Sequence, residues 1–395
     1  MQALFLSDYT LTTCLGRGCD ANWQAVLDQR SGLQPCAFET AELATFIGQV
    51  AGVEEQALPT HLSDYVCRNN QLALLALAQD GFEAAVHRAI AAYGPSRVGV
   101  FMGTSTSGIL STEIAYRHRQ TPGGALPPDF HYAQTHNTFS VSSFVRDYFL
   151  LEGPAVAVSS ACSSSAKVFG NAARMIECGL IDAAIVGGID SLCLTTLYGF
   201  NSLELLSPER CQPFGAQRQG ISISEAAGFA LLTRSRPESG VAVAVTGIGE
   251  SSDAHHMSSP HPEGAGALAA MQQALAMARI EPGAVDYINL HGTATPSNDA
   301  AEGRAVAALF GSSVPCSSTK GHTGHALGAA GIVEALLCAL ALRHGVLPGG
   351  LNTEERDPAL NVNYLLRNQV AAAQIMLSNS FGFGGSNCAL VLEKR

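Results

Sequence analysis

The fold is decided around one stretch, Val158–Lys167, which reads VSSACSSSAK. The apolar run Pro154–Val158 predicts a short buried strand, and a helical pattern follows from Ser163 to Glu177. A cysteine between strand and helix lies beside unpaired backbone N–H groups and the positive end of the helix dipole. Both should lower the pKa of the Cys162 thiol, and the N–H groups could hold an oxyanion. From this stretch alone, an inert buried cysteine is an equally good interpretation.

The composition bounds the class of protein. Of the 395 residues, 47% are apolar and only 14% are charged, and there are 40 glycines. These values favour an α/β enzyme with a large buried interior, and they argue against disorder. The net charge of −11 gives no general attraction for nucleic acid or for an anionic membrane, so neither is expected as a partner.

The cysteines and the N-terminus indicate where the protein works. The eleven cysteines are scattered and form no Cys-x-x-Cys pair, which favours a reduced, cytoplasmic compartment over a disulfide framework. The segment Met1–Asp8 has no basic region and reaches an acidic residue too early for a signal peptide. We find no run of about 18 apolar residues and therefore expect no transmembrane helix.

Three segments of the first half recur in the same order in the second half, beyond a connector at 235–240. We therefore predict two halves of like topology, 1–234 and 235–395, with stacked sheets and helices between and outside them. The matched segments are Gly99–Thr106 with Tyr287–Thr295, the cysteine strand and helix with Val314–Lys320 and Gly328–His344, and Ser224–Arg234 with Phe383–Glu393.

Two histidines are candidates to face the cysteine. His291 follows a predicted strand, and His325 lies in a loop of small residues that opens a helix. Equivalent loops of two repeated halves face each other, so both rings should approach Cys162. At a helix N-terminus the cationic form of histidine is disfavoured, and the neutral ring can donate an N–H to a developing negative charge. For either histidine alone, a hydrogen-bonded core residue is the commoner explanation.

Four motifs stand in order along the chain: Ser160–Ser164, His291–Pro296, Lys320 with Gly324–Gly331, and Asn379–Asn387. Together they resemble the signatures of one family, the elongating β-ketoacyl-(acyl-carrier-protein) synthases, which are condensing enzymes of the thiolase fold. Their order and content agree over essentially the whole chain. The resemblance implies an α/β, thiolase-like fold with α-β-α-β-α layers, and neither a metal nor another cofactor is expected.

The resemblance implies a division of chemistry among four residues. Cys162 would be the nucleophile that takes an acyl group from a carrier-protein thioester. The backbone N–H groups of Cys162 and Phe383 would form the oxyanion hole. His291 and His325 would assist the decarboxylation of a malonyl thioester and stabilise the enolate, which attacks the acyl group on the cysteine.

Further positions would support that chemistry. Lys320 would assist the site and pair with Glu302, because a buried lysine needs a charged partner. Thr293 and Thr295 would hydrogen-bond the pantetheine arm. Phe383 would be a gate between two glycines that permit its movement.

Three further residues are implied in substrate access. Asp253 and His256 would belong to a loop that moves with the gate, and Thr106 would control acyl-chain access. The polar, branched side chain of Thr106 makes a plain long alkyl chain a less favoured substrate.

The segment Cys211–Gly220 departs from the family's commoner Arg-Pro-Phe-Asp pattern. This difference favours a specialised pathway, such as polyene or polyketide assembly, over housekeeping fatty-acid synthesis. The expected partners are an acyl carrier protein, which is acidic, and a second subunit in a homodimer or heterodimer. The basic landing patch is thin, with Arg68 alone in residues 61–80.

Several alternatives are weaker. His322 and His325 could ligate zinc, but no third ligand lies at metal spacing. A thiolase would carry a second catalytic cysteine in the C-terminal glycine loop, whereas Cys388 lies beyond it. A starter-type synthase would replace the second histidine with asparagine. The remaining rival is a non-catalytic partner subunit like a chain-length factor, which usually lacks the nucleophile that Cys162 supplies.

Overall fold

The computed structural model describes residues 2–237 and 240–395, so two positions of the predicted connector lie outside it. Its first half forms eight strands and seven helices. The strands are β1 Leu4–Thr13, β2 Gly16–Arg17, β3 Gln34–Pro35, β4 Phe46–Ile47, β5 Val98–Gly103, β6 Ala155–Val158, β7 Ala183–Asp190 and β8 Ala226–Thr233. The helices are α1 Cys19–Leu27, α2 Arg68–Leu77, α3 Phe82–Tyr93, α4 Ile109–Arg117, α5 Ser140–Tyr148, α6 Ser164–Glu177 and α7 Leu194–Ser202.

The second half follows the same alternation of strand and helix. Its strands are β9 Val243–Ser252, β10 Tyr287–Asn289, β11 Pro315–Ser317, β12 Val346–Leu347, β13 Asn363–Tyr364, β14 Gln369–Val370, β15 Ile375–Gly382 and β16 Ser386–Lys394. Its helices are α8 Ala265–Ala278, α9 Pro296–Phe310, α10 Lys320–Thr323 and α11 Ala330–His344. Five short 3₁₀ turns join these elements: Thr60–Tyr65, Pro95–Arg97, Pro282–Ala284, Leu327–Ala329 and Phe383–Gly385.

The strand order confirms the repeat. The first half runs β6-β5-β7-β8-β1 and the second runs β11-β10-β15-β16-β9, with β13 added at the outer edge. Strand directions agree as well: in each half the first two pairings are parallel and the last two are antiparallel. The two halves also meet directly, because Leu4 and Phe5 of β1 pair with Val245 and Ala244 of β9. The predicted pair of stacked sheets is therefore one continuous path of strands.

Two helices fill the space between the halves. Both α6 and α11 contact strands of both halves, whereas α2 and α5 cover the first half and α8 and α9 the second. These are the predicted α-β-α-β-α layers. Small residues permit the close crossing of the central helices, since a Cβ on Gly331 would lie 2.6 Å from the backbone nitrogen of Ala166.

The central position of α11 explains its composition. Every residue from Ala330 to Leu342 is buried, because strands lie on both sides of the helix and no face meets water. The 18-residue segment Leu327–His344 has a mean hydropathy of 1.5, and 89% of it is buried inside the fold. By length and composition alone this segment could cross a membrane, but Glu334 and Arg343 interrupt its apolar residues and its burial identifies it as the core helix of the fold.

Candidate active site

Cys162 lies in a tight turn between β6 and α6. The residue before it, Ala161, has a φ of 52°, a left-handed conformation that is costly for a residue with a Cβ. Serine side chains hold the turn: Ser163 Oγ donates to the carbonyl of Ser160 at 2.9 Å, and Ser164 Oγ donates to that of Ala161 at 2.5 Å. The run of small polar residues thus stabilises a strained backbone that presents the thiol.

The second half brings both histidines to this turn, as predicted. His291 follows β10, the counterpart of β5, and His325 follows α10. The segment before β8 fixes the backbone of His325, whose N–H donates to the Ser222 carbonyl at 2.8 Å and whose carbonyl accepts from Ser224 N–H at 3.0 Å. His325 Nε2 lies 3.0 Å from Cys162 Sγ, and the two imidazole rings are 5.4 Å apart at 83°.

The hydrogen bonds at Nδ1 determine which nitrogen of each ring carries the proton. Leu327 N–H donates to His325 Nδ1 at 3.2 Å, so Nε2 carries the hydrogen and faces the thiol. Lys320 Nζ lies 3.3 Å from His291 Nδ1, and an ammonium can only donate. Both rings therefore present Nε2–H to the site.

This protonation pattern also bears on metal binding. The ligating atoms of Cys162, His291 and His325 lie within 4.8 Å of one another, which is close enough to surround an ion. A ring nitrogen that carries a proton cannot ligate, however, and Nε2 is protonated in both rings. The arrangement is one of hydrogen-bond donors. His322 points elsewhere, with its two nitrogens 3.2 and 3.1 Å from the carbonyls of Arg30 and Gly349.

The partner of Lys320 differs from the prediction. Lys320 Nζ forms its ion pair with Glu334 of α11 and donates to the carbonyl of His291 at 2.5 Å. Glu302 instead accepts the backbone N–H groups of His291 and Gly292, each at 2.8 Å. The predicted pair between Lys320 and Glu302 was therefore wrong. A lone acid within the apolar helix α11 was the available signal, because a buried carboxylate requires a partner.

Burial dominates the electrostatics of the site. It raises the pKa of the Cys162 thiol to about 12, against the opposing effects of the Lys320 charge and the Phe383 N–H. The predicted lowering of this pKa was wrong, because loss of solvation outweighs the Lys320 charge and the Phe383 N–H. Burial and the Lys320 charge hold the pKa values of His291 and His325 well below the usual value, so both rings are neutral. Burial also raises the pKa values of Glu302 and Glu334 to about 7.

A partly enclosed cavity reaches these groups. Cys162 and both histidines line it, together with Thr293 and Thr295, whose hydroxyl oxygens are 3.0 Å apart. The cavity therefore offers two hydroxyl groups in addition to the thiol and the imidazoles.

Phe383 closes one side of the cavity. Its ring packs against Phe200 with centroids 5.6 Å apart. The next residue, Gly384, has a φ of 79°, which glycine adopts without strain. Gly384 N–H donates to the carbonyl of Met257 at 2.8 Å, which joins the Phe383 turn to the loop after β9.

Asp253 is the second link between these loops. Its N–H donates to the carbonyl of Gly385 at 2.9 Å, and its carboxylate accepts from Asn387 Nδ2 at 2.8 Å. Asp253 lines the cavity. His256, which was predicted to belong to the same loop, is exposed, accepts the Ser258 N–H at 3.2 Å and does not line the cavity.

Two other residues, considered for acyl-chain access and for carrier-protein binding, instead bind buried carboxylates. Thr106 is buried and its hydroxyl donates to Asp190 at 2.9 Å, so it does not line the cavity. Arg68 is also buried and pairs with Glu225 at 2.5 Å, so it is unavailable to an acidic partner. Sequence patterns could not show where these two side chains point, because each is held by a buried carboxylate that is distant in sequence.

Known proteins share the fold of this chain. Residues 9–237 match the family model described as the β-ketoacyl synthase N-terminal domain, and residues 242–354 match the corresponding C-terminal domain. The chain belongs to the β-ketoacyl synthase family. It is therefore an acyltransferase that condenses acyl groups, in fatty-acid or polyketide synthesis.

Relatives of this β-ketoacyl synthase span its whole length. A 3-oxoacyl-[acyl-carrier-protein] synthase 2 of Coxiella burnetii is 32% identical, with 96% of this chain and 95% of that protein covered. Nodulation protein E of Rhizobium meliloti is 31% identical, with 96% of each covered. A chain from the complex of a ketosynthase with its chain length factor from Xenorhabdus doucetiae is 41% identical. It superposes with a TM-score of 0.91 over 100% of this synthase and 98% of that chain.

Proposed function

We propose that this chain catalyses the decarboxylative Claisen condensation of an acyl group on Cys162 with a malonyl group on a carrier protein. The observation that carries the proposal is one buried thiol 3.0 Å from a ring nitrogen that donates, beside a second neutral imidazole in the same cavity. The product would be a β-ketoacyl carrier protein.

In the first half-reaction, Cys162 Sγ attacks the thioester carbonyl of the acyl carrier. The backbone N–H groups of Cys162 and Phe383 hold the oxyanion, and the pantetheine sulfur leaves. Because His325 Nδ1 already accepts a hydrogen bond, its ring does not take the thiol proton. That proton passes to the departing pantetheine sulfur, so this step needs no separate base.

In the second half-reaction, malonyl thioester loses carbon dioxide and leaves an enolate. The Nε2–H groups of His291 and His325 donate to the enolate oxygen, and its carbon attacks the acyl-Cys162 carbonyl. The carbon–sulfur bond to Cys162 then breaks, and the released thiolate takes one proton from solvent to restore the thiol. Neutral donors suit a negative charge that develops in a buried site, because they are fixed before the reaction begins.

The cavity wall fits the arm that carries both substrates. Thr293 and Thr295 would hydrogen-bond the amide groups of phosphopantetheine on the route from the surface to the thiol. Phe383 would move to admit the second substrate, and Asp253 would couple that movement to the loop after β9.

We further propose a specialised pathway and a heterodimer. The departures at Cys211–Gly220 support the first proposal, as does the likeness to ketosynthases solved with chain length factors. The same likeness supports a related subunit as partner. A non-catalytic role for this chain is the second candidate, but the thiol 3.0 Å from His325 and the second imidazole beside it favour catalysis.

Intact-mass measurement with a panel of acyl carrier proteins tests the proposal. The wild-type protein, alone or with its partner subunit, should gain one acyl mass and release carbon dioxide from malonyl carrier. Cys162→Ala should lose the adduct, whereas Cys178→Ala should keep it, because Cys178 is an exposed thiol at the far end of α6. A wild-type protein that accepts no carrier-bound chain would favour the partner-subunit role.

A further inference from the structure

Asp190 is a buried carboxylate at the end of β7 that sequence reasoning did not single out. It has no exposed surface. One oxygen, Oδ1, accepts four hydrogen bonds from the turn after β5: Thr104 Oγ1 at 2.7 Å, Ser105 N–H at 2.7 Å, Thr106 N–H at 2.8 Å and Thr106 Oγ1 at 2.9 Å. The other oxygen, Oδ2, accepts Gly328 N–H at 2.5 Å.

The two oxygens of Asp190 therefore join turns from different halves of the fold. The turn bound by Oδ1 touches the nucleophile turn, since Ser105 Oγ donates to the carbonyl of Ala161 at 3.3 Å. The turn bound by Oδ2 is the 3₁₀ turn Leu327–Ala329, which begins two residues after His325.

The 3₁₀ turn is strained and its N–H groups are divided between two acceptors. Leu327 has a φ of 49°, a left-handed conformation that costs a branched residue roughly 1–2 kcal/mol. Its N–H donates to His325 Nδ1, and the next N–H, that of Gly328, donates to Asp190. Successive N–H groups around a left-handed residue form a natural anion site. The carboxylate thus stabilises the conformation that also fixes the imidazole.

We propose that Asp190 is a positioning residue for the condensation. By holding Gly328 N–H it fixes the turn whose Leu327 N–H determines the tautomer and direction of His325. Through Oδ1 it holds the turn beside the acylated cysteine at the same time. This inference rests on the proposed role of His325 in decarboxylation.

Asp190→Asn tests the inference selectively. The asparagine side chain has only one acceptor oxygen, and this oxygen is best placed at the Oδ1 position, where it can accept from four donors. Its NH₂ group then faces Gly328 N–H, and two donors cannot bond to each other. The hydrogen bond to the turn after His325 is therefore the one lost. The kcat for decarboxylation of malonyl carrier should fall about tenfold, as expected for one charge-assisted hydrogen bond. The KM should be unchanged, and acyl-enzyme formation should stay within about threefold.

The matched control is Asp182→Asn at the other end of the same strand. Asp182 is a surface residue paired with Arg97, so this variant should keep wild-type rates. If wild type itself gives neither adduct nor carbon dioxide, the proposed function fails. If wild type is active and Asp190→Asn decarboxylates normally, or loses both half-reactions by the same factor, the inference on Asp190 is overturned.

A second variant covers the case in which Asp190→Asn does not fold. Thr104→Val removes one donor from Oδ1 and leaves the Gly328 contact in place. It should slow acyl-enzyme formation more than decarboxylation, the opposite of the split expected for Asp190→Asn. A larger effect on decarboxylation would contradict the assignment of the two oxygens to the two turns.

Discussion

The turn after β6 and the turn after β11 occupy equivalent positions in the two halves of the fold, but they contribute different chemistry. The first is short, is held by serine hydroxyls and carries the thiol of Cys162. The second is longer, includes α10 and a 3₁₀ turn, and carries Lys320 and His325. The duplicated topology thus places the ends of two equivalent strands face to face. Because the turns that follow them differ, one turn supplies the nucleophile and the other supplies a hydrogen-bond donor.

The two turns also differ in what controls their charge. The first begins a long helix, yet burial raises the pKa of its thiol, which stays protonated. The second holds a buried ammonium, and this cation helps to keep both imidazoles neutral. The comparison teaches that helix position alone did not determine either protonation state.

The pH dependence of thiol alkylation tests the first turn and should be the largest effect. Because the pKa of Cys162 is raised to about 12, the thiolate fraction at pH 7 is very small. It should rise about tenfold for each pH unit, and so about a thousandfold from pH 7 to pH 10. The rate of iodoacetamide labelling, measured by mass spectrometry with Cys162→Ala as the blank, reports this fraction. A plateau near pH 8 would mean that the helix N-terminus prevails after all.

Removing the cation of the second turn should have the next largest effect. Lys320→Met leaves Glu334 buried without its partner, which should cost about 3–5 kcal/mol of unfolding free energy. It also removes the donor at His291 Nδ1, so decarboxylation should fall about a hundredfold. Denaturant unfolding and carbon dioxide release measure the two losses.

The double variant Lys320→Met/Glu334→Leu separates stability from chemistry. It removes both charges and should recover most of the lost stability, but the decarboxylation defect should remain. Recovery of both would show that Lys320 acts only through the fold.

The smallest effect is expected for Glu302→Gln, because Glu302 holds the neighbouring turn after β10, which carries His291. The amide can accept from one of the two N–H groups of His291 and Gly292 but must oppose the other. The expected cost is about 1–3 kcal/mol of stability, with decarboxylation reduced about fivefold by the shift of His291. Glu263→Gln, the same change at an exposed position, is the control for thermal unfolding and rate measurements. Equal behaviour of the two variants would contradict the role of Glu302.

Much of the fold was predictable because it depends on local patterns. The helix predicted from Ser163 to Glu177 is observed over Ser164–Glu177, and the three matched segments occupy equivalent strands and helices. Hydrophobic periodicity and turn residues carry that information directly. The meeting of Cys162 with His291 and His325 followed from the repeat and from the family resemblance.

The errors share a physical cause. The partner of Lys320 and the hydroxyl direction of Thr106 depend on which buried carboxylate lies nearby, and neither carboxylate is adjacent in sequence. The pKa of Cys162 depends on how completely the turn is desolvated, which is a property of both halves together. Local signals describe a backbone, but they do not give the solvation of a site built from distant segments.

The burial of α11 on all sides has a consequence for how the chain is made. The sheet of the first half is complete by Thr233, but one of the two helices that cover its inner face ends only at His344. At about 5–20 residues per second, the ribosome needs roughly 5–20 seconds to add the intervening segment. During that time the apolar inner face is exposed, so the first half cannot reach its final state while translation of the second continues. Folding of this synthase is therefore completed late and as a single unit.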